Sequence, residues 1–251
     1  MWNNTKPCTN SVERQIMKKK LALLLGLIVL GGLLSCGSVN SSGVVGEPEP
    51  EVRVEREVPI DPARLQTAVF AGGCFWGVEA VFEHTRGVAG AKSGFSGGTA
   101  VSAKYDEVSG GSTGHAEAVE VSFDPEVVSY DQLLEIFFKV AHNPTELNRQ
   151  GPDVGPQYRS AIFYTDESQK KAVEDFIQKL NAAKLYKDPI VTQVVPLEKF
   201  YEAEEYHQDY LPRNLNSPYI VYHDLPKLEN LKKQFPALYI DRLKGSRKAR
   251  R

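Results

Sequence analysis

Cysteine is scarce in this chain of 251 residues, which contains only Cys8, Cys36 and Cys74. Three scattered cysteines exclude a disulfide scaffold and a four-cysteine zinc site. An excess of charge is also lacking, because 30 basic residues face 32 acidic ones and leave a net charge of −2. A protein-wide field that attracts nucleic acid is therefore excluded. No apolar run reaches the ~20 residues that span a bilayer, and 41% apolar with 25% charged residues is typical of a globular protein.

The start of the chain predicts a leader and a tether. Three lysines at 18–20 precede an apolar run at 21–34, which is typical of an export signal. Leu33-Leu34-Ser35-Cys36 resembles a bacterial lipobox, whose cysteine carries a lipid. We therefore expect residues 1–36 to be a leader with a lipoprotein-type signal and residues 37–65 to be a disordered tether. The protein would be exported to the bacterial cell envelope, lipid-anchored through Cys36 and facing the periplasm. A plain cleaved signal or an uncleaved anchor are the alternatives.

The other end of the chain, residues 241–251, forms a basic tail. Six of the ten residues at 242–251 are lysine or arginine. Such a tail can contact phosphates or anionic lipid head groups, or it can be a solvated disordered segment. No aromatic residue interleaves with these charges, which favours the solvated segment.

The body of the chain, residues 66–240, alternates strand and helix patterns. Period-two or short apolar runs predict strands at 67–71, 88–95, 118–123, 158–165 and 191–195. Apolar residues at helical spacing predict helices at 74–87, 130–141, 168–185, 203–210 and 227–235. This order predicts a single α/β (α+β) domain with a mixed sheet. The long loops at 96–114 and 143–157 are candidate positions for a site.

Cys74 is the cysteine with the features of a reactive group. It follows a predicted strand and two glycines and begins a predicted helix, so its sulfur lies near unpaired backbone N–H groups. That setting favours the thiolate and lowers the pKa from the ordinary ~8.5. The alternative is a buried structural cysteine. Phe75 and Trp76 follow directly, and two bulky aromatic residues beside a thiol indicate an apolar substrate pocket.

Further polar side chains lie in the long loops and in the predicted helix 203–210. Taken singly, each has a structural interpretation, such as a half-buried tyrosine or a core histidine. Together with Cys74 they form five segments: Gly73-Cys74-Phe75-Trp76-Gly77; Tyr105-x-x-Val108; Thr113-Gly114-His115-Ala116-Glu117; Arg149-Gln150-Gly151-x-Asp153-x-Gly155-x-Gln157-Tyr158-Arg159-Ser160; and Glu205-Tyr206-His207-Gln208-x-Tyr210-Leu211.

In their order and content these segments resemble the A-type peptide methionine sulfoxide reductases, over roughly residues 66–225. The resemblance implies a two-layer mixed-sheet fold and reduction of the S-epimer of methionine sulfoxide, free or within proteins. It implies that Cys74 is the nucleophile and ends as a sulfenic acid. Glu117 and the hydroxyls of Tyr105 and Tyr158 would act on the sulfoxide oxygen.

The resemblance also assigns the substrate-binding residues. Phe75 and Trp76 would enclose the S-methyl group, and Asp153, His207 and Tyr210 would line or support the site. No metal and no bound cofactor are implied, and the protein would act as a monomer. Its partners would be oxidised proteins and an external dithiol of the thioredoxin kind. An acid role for Glu117 requires that it hold a proton, and we expect Glu117 and Cys74 to titrate as a coupled pair.

The chain departs from the family pattern at several positions. Relatives often carry resolving cysteines near the C-terminus, but no cysteine follows Cys74, and residues 216–220 occupy the corresponding region. The sulfenic acid should therefore be cleared by an external thiol through a mixed disulfide. Asn143 replaces an aspartate, and Pro152 and Pro156 replace Asn and Thr. The two prolines stiffen the loop that positions Asp153 and Tyr158, so we expect these changes to affect substrate preference and not the reaction.

Two other functions fit parts of the sequence. A cysteine–histidine hydrolase would pair Cys74 with His115 or His207. That mechanism leaves the tyrosines and Glu117 without a role. A non-catalytic surface lipoprotein that binds envelope partners is the second alternative.

Overall fold

The computed structural model of the chain describes residues 59–243. The predicted leader, Cys36, most of the predicted tether and residues 244–251 of the basic tail lie outside the described residues. Within 59–243, no helix is both long enough and apolar enough to cross a membrane.

The described residues form one mixed α/β domain. Its strands are β1 (Gln66–Gly72), β2 (Val88–Ser96), β3 (Ala116–Phe123), β4 (Arg149–Gln150), β5 (Asp153–Val154), β6 (Ser160–Tyr164), β7 (Gln193–Pro196) and β8 (Phe200–Glu202). Its α-helices are α1 (Phe75–Glu83), α2 (Tyr105–Val108), α3 (Tyr130–Ile136), α4 (Glu167–Ala182), α5 (Tyr210–Arg213) and α6 (Leu225–Gln234). Two π-helical segments, Phe137–Ala141 and Ile220–Asp224, continue α3 and precede α6.

Six strands make one sheet in the order β7-β6-β1-β3-β2-β8, and β4 pairs with β5 in a separate hairpin. All neighbours in the large sheet are antiparallel except β6 and β7, which are parallel. β1 therefore lies inside the sheet, between β3 and β6. Cys74 lies just beyond its end.

The sheet is curled, as its connectivity requires. Its two edge strands, β7 and β8, are joined only by residues 197–199. Four peptide units reach about 14 Å, whereas the edges of a flat six-stranded sheet lie about 24 Å apart. Val195 of β7 and Phe200 of β8 accordingly pack against one cluster that includes Ala118 and Phe163.

The other face of the sheet is covered by helices. Phe70 of β1 stacks on Phe82 of α1, with ring centroids 4.9 Å apart, and on Phe137, at 5.0 Å. These three side chains are fully buried. The aromatic stack fixes α1, and with it Cys74, against the centre of the sheet.

The structure confirms the predicted fold class and corrects several elements. The predicted helix 203–210 is wrong: Asp209 has φ 49°, a left-handed conformation that interrupts a helix. A 3₁₀ turn, Glu205–His207, and the short helix α5 take its place. Strand β6 begins at Ser160 rather than at 158, because Pro156–Tyr158 forms a 3₁₀ turn. The predicted long loops contain α2, β4 and β5.

Candidate active site

Cys74 lies at the junction between β1 and α1. β1 ends at Gly72, and Gly73 has φ +91°, which allows the chain to turn from strand to helix. A Cβ on Gly73 would lie 2.5 Å from Gln150, so the glycine also lets the β4–β5 hairpin approach. Cys74 is the N-cap residue of α1 and is 1% exposed. Its sulfur is therefore held at the positive end of the helix in a nearly closed site.

Glu117 approaches the same helix start from strand β3. Its Oε2 atom accepts a hydrogen bond of 3.0 Å from the backbone N–H of Phe75, the residue after Cys74. Glu117 is 1% exposed. The hydrogen bond places the Glu117 carboxyl group at the backbone N–H that directly follows Cys74.

Aromatic rings form one wall of the site. Trp76 stacks on Tyr210 with centroids 3.6 Å apart and an interplanar angle of 8°. The indole Nε1–H of Trp76 donates to Nδ1 of His207 at 3.2 Å. The rings of Tyr219 and Trp76 are arranged edge to face, with their centroids 6.0 Å apart. Phe75 lies 5.1 Å from the ring of His207. The predicted substrate-binding aromatic residues are thus in mutual contact.

His207 is a neutral member of this wall. Burial lowers its pKa to about 4, so it carries no charge at neutral pH. Because Nδ1 accepts from Trp76, the neutral ring carries its proton on Nε2. The hydrogen bond fixes the orientation of both rings.

Asp153 is buried on the β4–β5 hairpin and accepts a hydrogen bond from Tyr219, which is not among the predicted site residues. The hydroxyl of Tyr219 donates to Oδ2 of Asp153 at 2.5 Å. Burial raises the pKa of Asp153 to about 6, although the Tyr219 hydrogen bond opposes the rise. Burial and the nearby charges of Cys74, Asp224 and Asp153 raise the pKa of Tyr219. Tyr219 therefore belongs to the site. The one feature of the sequence that could have identified it is its position in segment 216–220, the region where relatives often carry a resolving cysteine.

Tyr105 lies in the first long loop, and Tyr158 directly follows the second. Tyr105 begins α2 and is 9% exposed, and its ring lies 4.2 Å from that of His207 and 6.4 Å from that of Phe75. Tyr158 ends the 3₁₀ turn before β6 and is 7% exposed. Tyr105 thus joins the aromatic wall beside Phe75. Tyr158 follows the hairpin that carries Asp153.

His115 has a structural role in the fold. Its Nδ1 accepts from the backbone N–H of Gly98 at 3.2 Å, and its Nε2 donates to the carbonyl of Thr99 at 3.0 Å. Both ring nitrogens are therefore engaged by one loop. This arrangement gives no support to a hydrolase that uses His115 as a base for Cys74.

The departures from the family pattern fit into the loop geometry. Oδ1 of Asn143 accepts from the backbone N–H and the hydroxyl of Thr145, at 3.1 and 2.8 Å. An aspartate would use the same acceptor oxygen. Pro156 occupies the first position of the 3₁₀ turn that carries Tyr158, where its fixed φ suits the backbone. Within residues 59–243, no group of three histidine, cysteine or acidic side chains could hold a metal ion.

Comparisons with known proteins identify the family of the chain. Residues 66–238 match the sequence model of the family described as peptide methionine sulfoxide reductase. The chain is 55% identical to "Peptide methionine sulfoxide reductase MsrA 2" of Mesorhizobium japonicum over 70% of this chain and 91% of that protein. It is 48% identical to the protein of the same name from Synechocystis, over 79% and 90% of the two chains.

Solved structures show the same similarity. Reduced Mxr1 from Saccharomyces cerevisiae matches with TM-score 0.57 and 32% identity, covering 64% of this chain and 92% of that one. Methionine sulfoxide reductase A of Corynebacterium diphtheriae matches with TM-score 0.54 and 38% identity, covering 62% and 77%. The chain belongs to the A-type peptide methionine sulfoxide reductases, oxidoreductases that reduce methionine sulfoxide.

Proposed function

We propose that this chain reduces the S-epimer of methionine sulfoxide, free or in proteins, with Cys74 as the nucleophile. One observation carries the proposal: the backbone N–H that follows the Cys74 thiol is hydrogen-bonded to the buried carboxyl group of Glu117. The proposed nucleophile and the proposed proton donor are therefore held at one helix start. Sulfoxide reduction needs both groups at the same moment.

The reaction transfers one oxygen atom. The Cys74 thiolate attacks the sulfoxide sulfur and forms a sulfur–sulfur bond, while the sulfoxide oxygen takes a proton from Glu117. The sulfur–oxygen bond then breaks as the hydroxyl group passes to the Cys74 sulfur, and the sulfur–sulfur bond breaks as methionine leaves. Methionine leaves as the thioether and Cys74 becomes a sulfenic acid, so that sulfur is reduced in the substrate and oxidised in the enzyme.

Glu117 and the pocket each contribute to this step. Glu117 is almost fully buried, and in this proposal it holds the proton that the sulfoxide oxygen takes. The hydroxyls of Tyr105 and Tyr158 would donate to the oxygen as its negative charge grows. Phe75 and Trp76 would enclose the S-methyl group, and Asp153, His207 and Tyr210 would line or support the pocket.

Regeneration requires an external thiol. Cys74 is the one cysteine within residues 59–243, and no cysteine follows it in the sequence. We propose that a dithiol of the thioredoxin kind attacks the sulfenic acid and releases water. Its second thiol then resolves the mixed disulfide and returns Cys74 to the thiol form.

The test uses the separated epimers of methionine sulfoxide with dithiothreitol as reductant. We expect methionine to be released from the S-epimer, no turnover of the R-epimer, and no turnover of either by Cys74→Ser. Equal rates with both epimers would contradict the proposed stereochemistry. Undiminished activity of Cys74→Ser would contradict the proposed nucleophile.

We also propose that the enzyme is held in the bacterial envelope by a lipid on Cys36 and repairs oxidised envelope proteins as a monomer. The lipobox-like segment 33–36 and the charged, apolar leader before it support this location. Mass spectrometry of the N-terminal fragment from membranes should find a lipid on Cys36, and Cys36→Ser should move the protein to the soluble fraction. An unmodified Cys36 in membrane-bound protein would contradict the anchor.

A further inference from the structure

Tyr105 is presented by a helix that is too short to be stable alone. α2 contains four residues, Tyr105–Val108, and its N-cap residue Lys104 provides no side-chain cap. Helices of this length do not persist in water without outside contacts. The position of the Tyr105 hydroxyl therefore depends on what holds the two ends of α2.

Glu204 holds the N-terminal end. Its Oε1 atom accepts a hydrogen bond of 3.1 Å from the backbone N–H of Tyr105 itself. A carboxylate is a favourable partner for the free N–H groups at a helix start. Glu204 lies three residues before His207, so this bond joins α2 to the aromatic wall.

Gln157 holds the C-terminal end. Its Nε2 atom donates to the carbonyl of Ser109, the C-cap residue of α2, at 3.0 Å. Gln157 is 4% exposed and directly precedes Tyr158. A Cβ on Gly155 would lie 2.2 Å from Oε1 of Gln157, and one on Gly111 would lie 3.0 Å from it. The amide is thus enclosed between the loops that carry the two tyrosines.

We propose that Gln157 and Glu204 are positioning residues that act through Tyr105. Together they fix the Tyr105 hydroxyl relative to Tyr158 and Cys74, so that both phenols meet the sulfoxide oxygen in the transition state. The inference rests on the proposed function, in which Tyr105 donates to that oxygen. A misplacement of about 1 Å at a reacting group can cost about 100-fold in rate.

Truncation of either residue should lower kcat selectively. We expect Gln157→Ala and Glu204→Ala each to reduce kcat for the S-epimer about tenfold, with KM changed less than about twofold, since donation to the oxygen matters most in the transition state. The rate at which iodoacetamide alkylates Cys74 should stay within about twofold of the parent, because the start of α1 is untouched. Glu205→Ala, at an exposed neighbouring carboxylate, serves as the matched control.

Isosteric variants separate hydrogen bonding from packing. Glu204→Gln keeps an acceptor oxygen for the Tyr105 N–H and should restore kcat to within about threefold of the parent. Gln157→Glu replaces the donor with an oxygen that faces the Ser109 carbonyl and should be as impaired as Gln157→Ala. A role in packing alone predicts that both isosteres are tolerated.

A double-mutant cycle tests the route through Tyr105. In a Tyr105→Phe background, removal of Gln157 or Glu204 should lower kcat less than about twofold further. Full additivity, or parent-like kcat for both alanine variants, would overturn the positioning role while leaving the proposed reaction intact. Unchanged kcat in Tyr105→Phe itself would overturn both this inference and the proposed role of Tyr105.

Discussion

Gly77 shows how one residue of the sequence motif is required by packing. A Cβ at this position would lie 2.1 Å from Oδ1 of Asp224 and 2.6 Å from Nζ of Lys227. Asp224 is fully buried and forms an ion pair of 3.2 Å with Lys227. Gly77 therefore makes room for a buried ion pair against the first turn of α1.

Gly77→Ala should be strongly destabilising. The added methyl group must displace a buried ion pair, and overpacking of this kind costs about 1–3 kcal/mol. We expect urea denaturation to show a loss of about 2 kcal/mol or more in the free energy of unfolding. Gly90→Ala is the matched control, because nothing lies within 4 Å of the Cβ it would gain. Equal stability of the two variants would show that the ion pair can move without cost.

Glu117→Gln should remove the proton donor while keeping an oxygen for the Phe75 N–H. Loss of a general acid costs about 10²–10⁴ in rate, so we expect kcat to fall at least 100-fold. Glu120→Gln, on the same strand, should retain the parent kcat. A parent-like kcat for Glu117→Gln would remove Glu117 from the acid role.

At the scale of elements, α1 carries two carboxyl groups one turn apart, Glu79, which is buried, and Glu83, which is half-buried. Burial, followed by the charge of Glu83, raises the pKa of Glu79 to about 8. Burial, followed by the charge and hydrogen bond of Asp209, raises the pKa of Glu83 to about 8. Asp209 belongs to the segment that carries His207 and Tyr210. The helix is therefore joined to the aromatic wall by carboxyl groups that retain protons at neutral pH.

These groups predict the pH dependence of stability. Above pH 4.5 the unfolded chain releases protons that the folded chain keeps, so the free energy of unfolding falls as pH rises from about 4.5 to about 8. Glu83→Gln needs no such proton and should be more stable than the parent by on the order of 2 kcal/mol at pH 8, with a much smaller gain at pH 5. Urea denaturation at both pH values measures this. Glu135→Gln, on a surface ion pair, should show no such difference. A gain that is equal at both pH values would contradict the linkage.

The sequence predicted some elements better than others for physical reasons. The β1–α1 unit was predictable because its apolar residues change from strand to helical spacing at two glycines. The predicted helix 203–210 was wrong because the side-chain amide of Gln208 forms hydrogen bonds with backbone groups of Ser93 and Ala203. These hydrogen bonds hold the segment against β2. Tyr219 was missed because its role comes from a contact with Asp153, 66 residues away.

At the scale of the whole molecule, a long C-terminal stretch of the described chain packs against the start of α1. The chain between β8 and α6 returns across α1, so Tyr210, Tyr219 and Asp224 all meet its first turns. Family relatives often place a resolving cysteine in this region, whereas here Ile220 is fully buried next to Tyr219. Segment 216–220 therefore packs against the aromatic wall of the site through Tyr219.

Reduction should consequently need no other cysteine of the chain. We expect the variant Cys8→Ser/Cys36→Ser to keep parent-like kcat with dithiothreitol, since Cys74 alone receives the oxygen. Steady-state assays of the purified full chain measure this, and Cys74→Ser is the inactive control. A tenfold loss in the double variant would assign a resolving role to Cys8 or Cys36.

The central claim is that Cys74 is oxidised to a sulfenic acid as methionine sulfoxide is reduced to methionine. Its direct test is a single turnover without reductant, in which methionine is counted and Cys74 is trapped with dimedone for mass spectrometry. The account predicts one methionine per chain from the S-epimer and an equal amount of dimedone adduct on Cys74. Release of methionine without an adduct on Cys74, or an adduct at another cysteine, would contradict it.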